Sequence, residues 1–127
     1  MKRQLRDYSK LDIWQRGHAL TLDVYRATQA FPKEERYGLT SQLRRSCASI
    51  PALIAEGCGR GTPRELGRYL GMAHGSASET GYHLLLATDL GYWGRDQGLD
   101  LGARADELGR MIHGYWRKVA GDVLRES

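Results

Sequence analysis

The sequence contains no asparagine, one phenylalanine, three prolines and two cysteines in 127 residues. It also lacks long apolar runs, because the longest stretches, 50–55 and 84–87, fall far short of the roughly 20 residues that a membrane-spanning helix needs. The basic amino terminus is not followed by an apolar segment, so we expect no secretory signal. These absences predict a soluble, cytoplasmic protein.

The scarcity of cysteine excludes a disulfide framework. On one helix, Cys47 and Cys58 would stand roughly 16 Å apart, which is beyond disulfide reach. We therefore expect both to be small buried apolar residues. The rest of the composition, with 41% hydrophobic and 27% charged residues, is that of an ordinary globular protein, and the length fits one domain over residues 1–127.

Apolar spacing and helix-terminal residues predict four long helices and no strand. The helices cover about residues 10–31, 41–57, 63–90 and 101–124. The clearest start signal is a capping box, in which Thr62 is the N-cap, Pro63 takes the first helical position and Glu65 follows. Four helices of this length with short connections predict an all-α, antiparallel up-down four-helix bundle.

Other residues predict where the helices begin, bend and end. We expect Ser9 and Asp100 to cap the first and last helices. Pro51 removes a backbone donor inside the second helix and is expected to kink it. Gly57 and Gly59 are expected to end that helix in the left-handed conformation.

The first helix has two apolar stripes, although a surface helix of a monomer needs only one. The first stripe is Leu11, Trp14, His18, Leu22 and Tyr25. The second stripe is Ile13, Gly17, Leu20, Val24, Ala27 and Phe31. This surplus predicts that bundles associate side by side as a homo-oligomer. The candidate interface residues are Ile13, Leu20, Val24, Phe31 and, on the last helix, Trp116.

A row of glycines recurs every fourth residue in the third helix, at Gly67, Gly71 and Gly75. Each glycine inside a helix costs about 1 kcal/mol relative to alanine. We therefore expect the row to permit the close approach of another helix backbone.

The formal net charge of +4 lies within residues 36–70, which carry six arginines and two glutamates. With a pI of about 9.3, this segment predicts a surface that attracts polyanions. The candidate nucleic-acid-binding residues are Arg44, Arg45, Arg60, Arg64 and Arg68. Arg64 and Arg68 share a helix face beside the free amides of a helix N-terminus. The alternative is a solvated face, or ion pairs with acidic residues of a neighbouring subunit.

The sequence offers no catalytic constellation. Its histidines are His18, His74, His83 and His113, and none belongs to the Glu-x-x-His pairs of di-iron bundles. We therefore predict no catalytic residue, no metal site and no cofactor. His18 is expected to lie in the core or an interface, and Glu56 to be held by a cation such as Arg60. Tyr92 and Trp93 are the rings most free to stack on a base or a partner.

Residues 42–57 read QLRRSCASIPALIAEG. Further motifs are LDIWQ at 11–15, VY at 24–25, FP at 31–32, YGL at 37–39, GR at 59–60, GS at 75–76 and LGY at 90–92. In this order and spacing, the chain resembles the four-helix-bundle proteins encoded in intervening sequences of bacterial large-subunit ribosomal RNA genes. It is also similar, more remotely, to the accessory proteins of diversity-generating retroelements.

The resemblance implies a closed homopentamer without established enzymatic activity. The more remote one implies a pentamer that binds a reverse transcriptase and its RNA through a basic surface. Leu53 stands where the first family usually has asparagine, so a polar contact is lost there. The sequence thus predicts a non-enzymatic, homo-oligomeric scaffold or binding protein that contacts RNA or DNA phosphates. The alternatives are a pure protein-interaction module and a small metal-dependent bundle enzyme.

Overall fold

The structure is a computed structural model that describes residues 7–126. This part of the chain is all-helical, without a strand, and its four α-helices are α1 Asp12–Ala27, α2 Leu39–Gly59, α3 Pro63–Asp89 and α4 Arg95–Glu126. One-turn 3-10 helices occupy Tyr8–Lys10, Thr28–Ala30 and Lys33–Glu35. Each α-helix packs on the next, and α4 also contacts α1. The four helices therefore enclose one core.

The core is built from the main apolar stripe of each helix, as the periodicity predicts. Its largest fully buried side chains include Leu20, Leu43, Ile50, Ile54, Leu66, Leu70, Leu84, Leu108 and Ile112. Burying one such side chain contributes about 1.5–3 kcal/mol to the free energy of unfolding. Neither Cys47 nor Cys58 is in a disulfide, and neither has exposed surface, which confirms that they act as small buried residues.

Two of the predicted helix starts are wrong. Asp7, not Ser9, caps the first turn, by accepting a hydrogen bond from the Ser9 amide at 3.1 Å, and α1 itself begins at Asp12. The last helix begins at Arg95, ahead of the predicted cap Asp100. The extra turn packs against the preceding loop at Gly98, which is buried and has no Cβ. A Cβ there would lie only 2.7 Å from Nε1 of Trp93.

The two glycines predicted to end α2 are helical instead. The helix runs through Pro51 as one element and ends at Gly59. The glycine that takes the left-handed conformation after it is Gly61, with φ of 87°. Gly57 serves close packing, because a Cβ there would lie 2.8 Å from Cβ of Tyr69. By contrast, the start of α3 is confirmed.

The stripe of α1 chosen as the candidate interface is already buried within one chain. Ile13, Leu20, Val24 and Phe31 belong to the core cluster and expose at most 8% of their surface. A second copy has nothing left to cover on these side chains, so their assignment to the interface is corrected. The other stripe points outwards, with Leu22 40% exposed.

The glycine row of α3 accommodates a side chain rather than a helix backbone. A Cβ on Gly71 would lie 2.9 Å from Cζ2 of Trp116, and one on Gly67 would lie 3.7 Å from a methyl group of Val119. Gly75 has no neighbour within 4 Å of such a Cβ. The expectation of a backbone contact is therefore wrong, because the indole ring of Trp116 on α4 lies over Gly71.

Candidate nucleic-acid interface

The five candidate arginines lie at two separate ends of α2. Arg44 and Arg45 belong to its first turns, whereas Arg60 follows its last turn and Arg64 and Arg68 begin α3. Along the helix axis, Arg45 and Arg60 are separated by about 22 Å. The structure therefore brings three of the five together and leaves two apart.

Arg44 is engaged with the end of α1. Its guanidinium donates to the Thr28 hydroxyl at 2.8 Å and to the Tyr25 carbonyl oxygen at 3.2 Å. It also lies 4.8 Å from the centre of the Tyr25 ring. Both acceptors lie at the C-terminal end of α1, where a positive charge complements the helix dipole. Arg44 therefore holds α1 on α2.

Arg60 belongs to a hydrogen-bonded triad with Glu56 and Tyr69. Its Nη2 donates to the Glu56 carboxylate at 2.8 Å and to the Tyr69 hydroxyl at 2.5 Å. The Tyr69 hydroxyl donates in turn to the same carboxylate oxygen at 2.8 Å. This tyrosine hydrogen bond, together with the Arg60 charge, holds the pKa of Glu56 below its ordinary value. The prediction that a cation holds Glu56 is confirmed.

Arg68 and Arg64 present charge to solvent. Arg68 pairs with Glu65 at 2.8 Å, and its guanidinium carbon lies 4.7 Å from the Tyr69 ring centre. Its side chain is still 55% exposed. Arg64 is exposed and makes no hydrogen bond or ion pair with any residue that the structure describes. The positive charge open to a ligand at this end therefore lies mainly at Arg64 and partly at Arg68.

These two arginines line a groove of about 440 Å³ between α3 and α4. Its remaining walls are apolar: Gly67, Trp116, Ala120, Val123 and Leu124. We call it the α3–α4 groove. Leu124 is 76% exposed at its open end, so the groove offers an uncovered apolar surface beside positive charge.

Three rings cluster where the groove meets the middle of the bundle. The ring centre of His74 lies 5.5 Å from that of His113 and 6.2 Å from that of Trp116, and the last two are 6.0 Å apart. Sequence reasoning did not group them. Two spacings could have indicated the cluster. His113 and Trp116 on α4, and Gly71 and His74 on α3, are each three residues apart and therefore share a helix face.

The aromatic residues predicted to be free are not. Tyr92 donates its hydroxyl to Glu35 at 2.8 Å, and the Trp93 indole donates to Thr88 at 2.9 Å. Both rings pack edge-on against Phe31, at 5.3 and 4.9 Å between ring centres. The turn before α4 therefore closes one end of the core, and the prediction of stacking rings there is wrong.

The remaining histidines have structural surroundings. His18 is exposed and stacks on Trp14 at 5.0 Å between ring centres, so it lies outside the core. His83 is buried, with Nδ1 3.4 Å from the Ser46 hydroxyl and Nε2 3.8 Å from Glu79. Thr80 donates to the same serine hydroxyl at 3.0 Å. This polar cluster joins α2 to α3.

Residues 7–126 also bear on a metal site, a membrane span and a reactive thiol. No group of three or more histidine, cysteine, aspartate or glutamate side chains there is arranged to hold a metal ion. No helix in that part of the chain is long and apolar enough to cross a membrane. Burial raises the pKa of the Cys47 thiol to about 11, so this thiol is not an activated nucleophile.

Four helices around one core, with an arginine-lined groove between two of them, define a small all-helical bundle protein. A family model described as 23S rRNA-intervening sequence protein matches residues 9–114. The chain belongs to this family, and the resemblance seen in its motifs is confirmed.

The chain is also similar to a solved structure described as a protein with unknown function from the S23 ribosomal protein family of Bacteroides thetaiotaomicron VPI-5482. The two share 20% identity with a TM-score of 0.73, and the match covers 82% of this chain and 97% of that one. At this identity the likeness shows the fold alone. Among curated proteins, none matches this sequence.

Proposed function

We propose that this protein is a non-catalytic, self-associating bundle of the cytoplasm that binds RNA or DNA through phosphate contacts at Arg64 and Arg68. One observation carries the proposal: the two arginines stand one turn apart on α3, line the same groove, and Arg64 has no acidic partner in the described part of the chain. Two guanidinium groups on one helix face suit the phosphates of a polyanion.

The expected mechanism is electrostatic. Each phosphate that an arginine neutralises releases condensed counterions, so affinity falls as salt rises. Two contacts in one groove give weak binding. Several copies of the groove in one assembly raise the effective concentration of binding sites along the same strand. A closed homopentamer, which the family resemblance implies, is therefore part of the proposal.

Self-association is supported by the outward stripe of α1. Leu22 and Tyr25 are 40% and 43% exposed, and Trp14 and His18 stack next to them on the same helix. A contiguous apolar and aromatic surface on a soluble helix is typical of an interface between subunits. This stripe replaces the buried one as the proposed interface.

The test combines size-exclusion chromatography and light scattering with labelled RNA at low and moderate salt. We expect a mass near five chains and co-elution of RNA at low salt only. Arg64→Gln should weaken binding and lower the slope of log Kd against log salt, by about 0.7 for each engaged copy of the groove on a single strand.

Arg45→Gln is the matched control. It removes the same charge from an exposed arginine at the other end of α2. Equal losses for both variants, or unchanged binding by Arg64→Gln, would contradict the assignment to this groove.

A pure protein-interaction module is the second candidate. Leu85 and Leu99, 54% and 51% exposed, line another groove of about 390 Å³ between α3 and α4. A protein partner such as a reverse transcriptase would cover these leucines. This reading predicts a pentamer that ignores RNA at every salt concentration. The metal-dependent enzyme is tested separately by elemental analysis of the purified protein.

A further inference from the structure

We infer that the α3–α4 groove selects single-stranded nucleic acid over duplex, because it receives an unpaired base against Trp116 while Arg64 and Arg68 hold the neighbouring phosphates. This inference rests on the proposed function and assigns the substrate class of the same site. The positive charge of the protein alone does not imply this preference, because it attracts single strands and duplexes alike.

The chemistry of the groove walls carries the first step. On α3, Arg64 and Arg68 form the charged side of the groove. The apolar side is formed on α4 by Trp116, Ala120, Val123 and Leu124. A duplex keeps its base faces stacked and presents phosphates, so it would leave this apolar surface uncovered. An unpaired base has an apolar face, which stacks favourably on an aromatic ring whatever the sequence.

The position of Trp116 carries the second step. Its ring is seated over Gly71, where a Cβ would lie 2.9 Å from Cζ2. The glycine therefore provides the room that the indole needs between the helices. The ring still lines the groove, and His74 and His113 continue the aromatic surface along the same seam. From His113 to Leu124 the seam spans about 16 Å.

The charges around the groove fit a polyanion. The acidic residues that adjoin groove residues in the sequence are already paired, Glu65 with Arg68 and Asp122 with Arg125. Within the described residues, the charge of Arg64 is left without a balancing carboxylate. Phosphates supply that balance at the rim, while the base occupies the apolar part.

The experiment measures the fluorescence anisotropy of a labelled RNA single strand, the same strand in a duplex, and the same strand with abasic sites. The intact single strand is expected to bind the wild-type protein about tenfold more tightly than either of the other two. This comparison uses the unmodified protein, so its outcome does not depend on the folding of a variant.

Variants then locate the preference. Trp116→Leu should abolish the preference and leave the salt slope unchanged, whereas Arg64→Gln should lower that slope. Tyr37→Leu removes an aromatic ring that is 87% exposed ahead of α2 and outside both the groove and the α1 stripe, and it is the matched control. Leu124→Ser changes a side chain that is 76% exposed at the end of α4. It should reduce the preference without affecting the fold.

Two outcomes would overturn the inference in different ways. Equal affinity for single strand, duplex and abasic strand would remove the base-binding role and leave phosphate binding by the proposed function intact. No binding of any nucleic acid would remove both, and the groove would then be assigned to a second copy or an acidic protein segment.

Discussion

The hydroxyl oxygen of Thr21 in α1 lies 3.3 Å from the carbonyl oxygen of Cys47 in α2. This carbonyl is the one that an amide four residues later normally satisfies, and that position is Pro51, which has no N–H. The Thr21 hydroxyl also lies 2.7 Å from the Gly17 carbonyl oxygen. A side chain of one helix thus reaches the acceptor that the proline leaves open in the next helix.

The first prediction concerns this contact. Thr21→Val keeps the side-chain shape and removes the donor, so the free energy of unfolding should fall by about 1 kcal/mol. Pro51→Ala restores an amide that can donate to Cys47, so the same threonine substitution should cost less in that background. Urea denaturation of the four proteins in this double-mutant cycle measures the difference. Equal costs in the two backgrounds would show that Thr21 does not serve the proline gap.

The second prediction compares two glycines of the α3 row. Gly71→Ala should destabilise the fold, because its Cβ would lie 2.9 Å from Cζ2 of Trp116. Gly75→Ala should stabilise it by up to about 1 kcal/mol, because alanine favours a helix and nothing lies within 4 Å. Denaturation midpoints followed by circular dichroism measure both effects. Shifts in the same direction for both substitutions would contradict the packing role of Gly71.

The third prediction concerns pH. The Tyr69 hydroxyl, with Arg60, lowers the pKa of Glu56 in the folded state from 4.5. Glu56 therefore contributes stability that is present above pH 4.5 and is lost as the pH falls through the lower, folded-state pKa. Tyr69→Phe removes the main cause of the lowering, so the variant should lose less stability between about pH 5 and pH 3 than the wild type does.

Urea midpoints at several pH values within that interval measure the difference. Tyr37→Phe is the control, because Tyr37 is 87% exposed and is not in contact with Glu56. Parallel pH profiles for wild type and Tyr69→Phe would show that the hydrogen bond does not govern this titration.

The elements of the fold follow from local sequence signals. Thr62 accepts the Glu65 amide at 3.2 Å as the capping box predicts, and the core stripes of α2 and α3 have the expected members. Periodicity has a limit in α1, where both stripes have helical spacing. Which of them faces the core depends on how the helices pack. Gly17 on the buried stripe allows α1 to approach α2 closely, because a Cβ at Gly17 would lie 3.4 Å from Cδ of Pro51.

The arginines show the same limit at the candidate site. Arg44 and Arg45 are neighbours in sequence, yet only Arg44 reaches the end of α1, at 3.2 Å from the Tyr25 carbonyl oxygen. The sequence indicated positive charge in this segment. The distribution of that charge over two ends depends on the length of α2, and the partners of each guanidinium depend on contacts between helices. The sequence predicts Trp116 as an interface residue because it lies off the main stripe. Its place in the α3–α4 groove depends on its packing beside α3.

The fourth prediction tests the proposed interface. Leu22→Gln places a polar group on the outward stripe of α1, where a neighbouring subunit would have to bury it, so the assembly should dissociate to smaller species. Leu85→Gln makes the same change on α3, at a leucine with 54% exposure against 40% for Leu22. Light scattering during size-exclusion chromatography gives the mass of each variant. Neither change should unfold the bundle, because both leucines are exposed in the single chain. If only Leu85→Gln lowered the mass, the interface would be assigned to the α3–α4 side instead of α1.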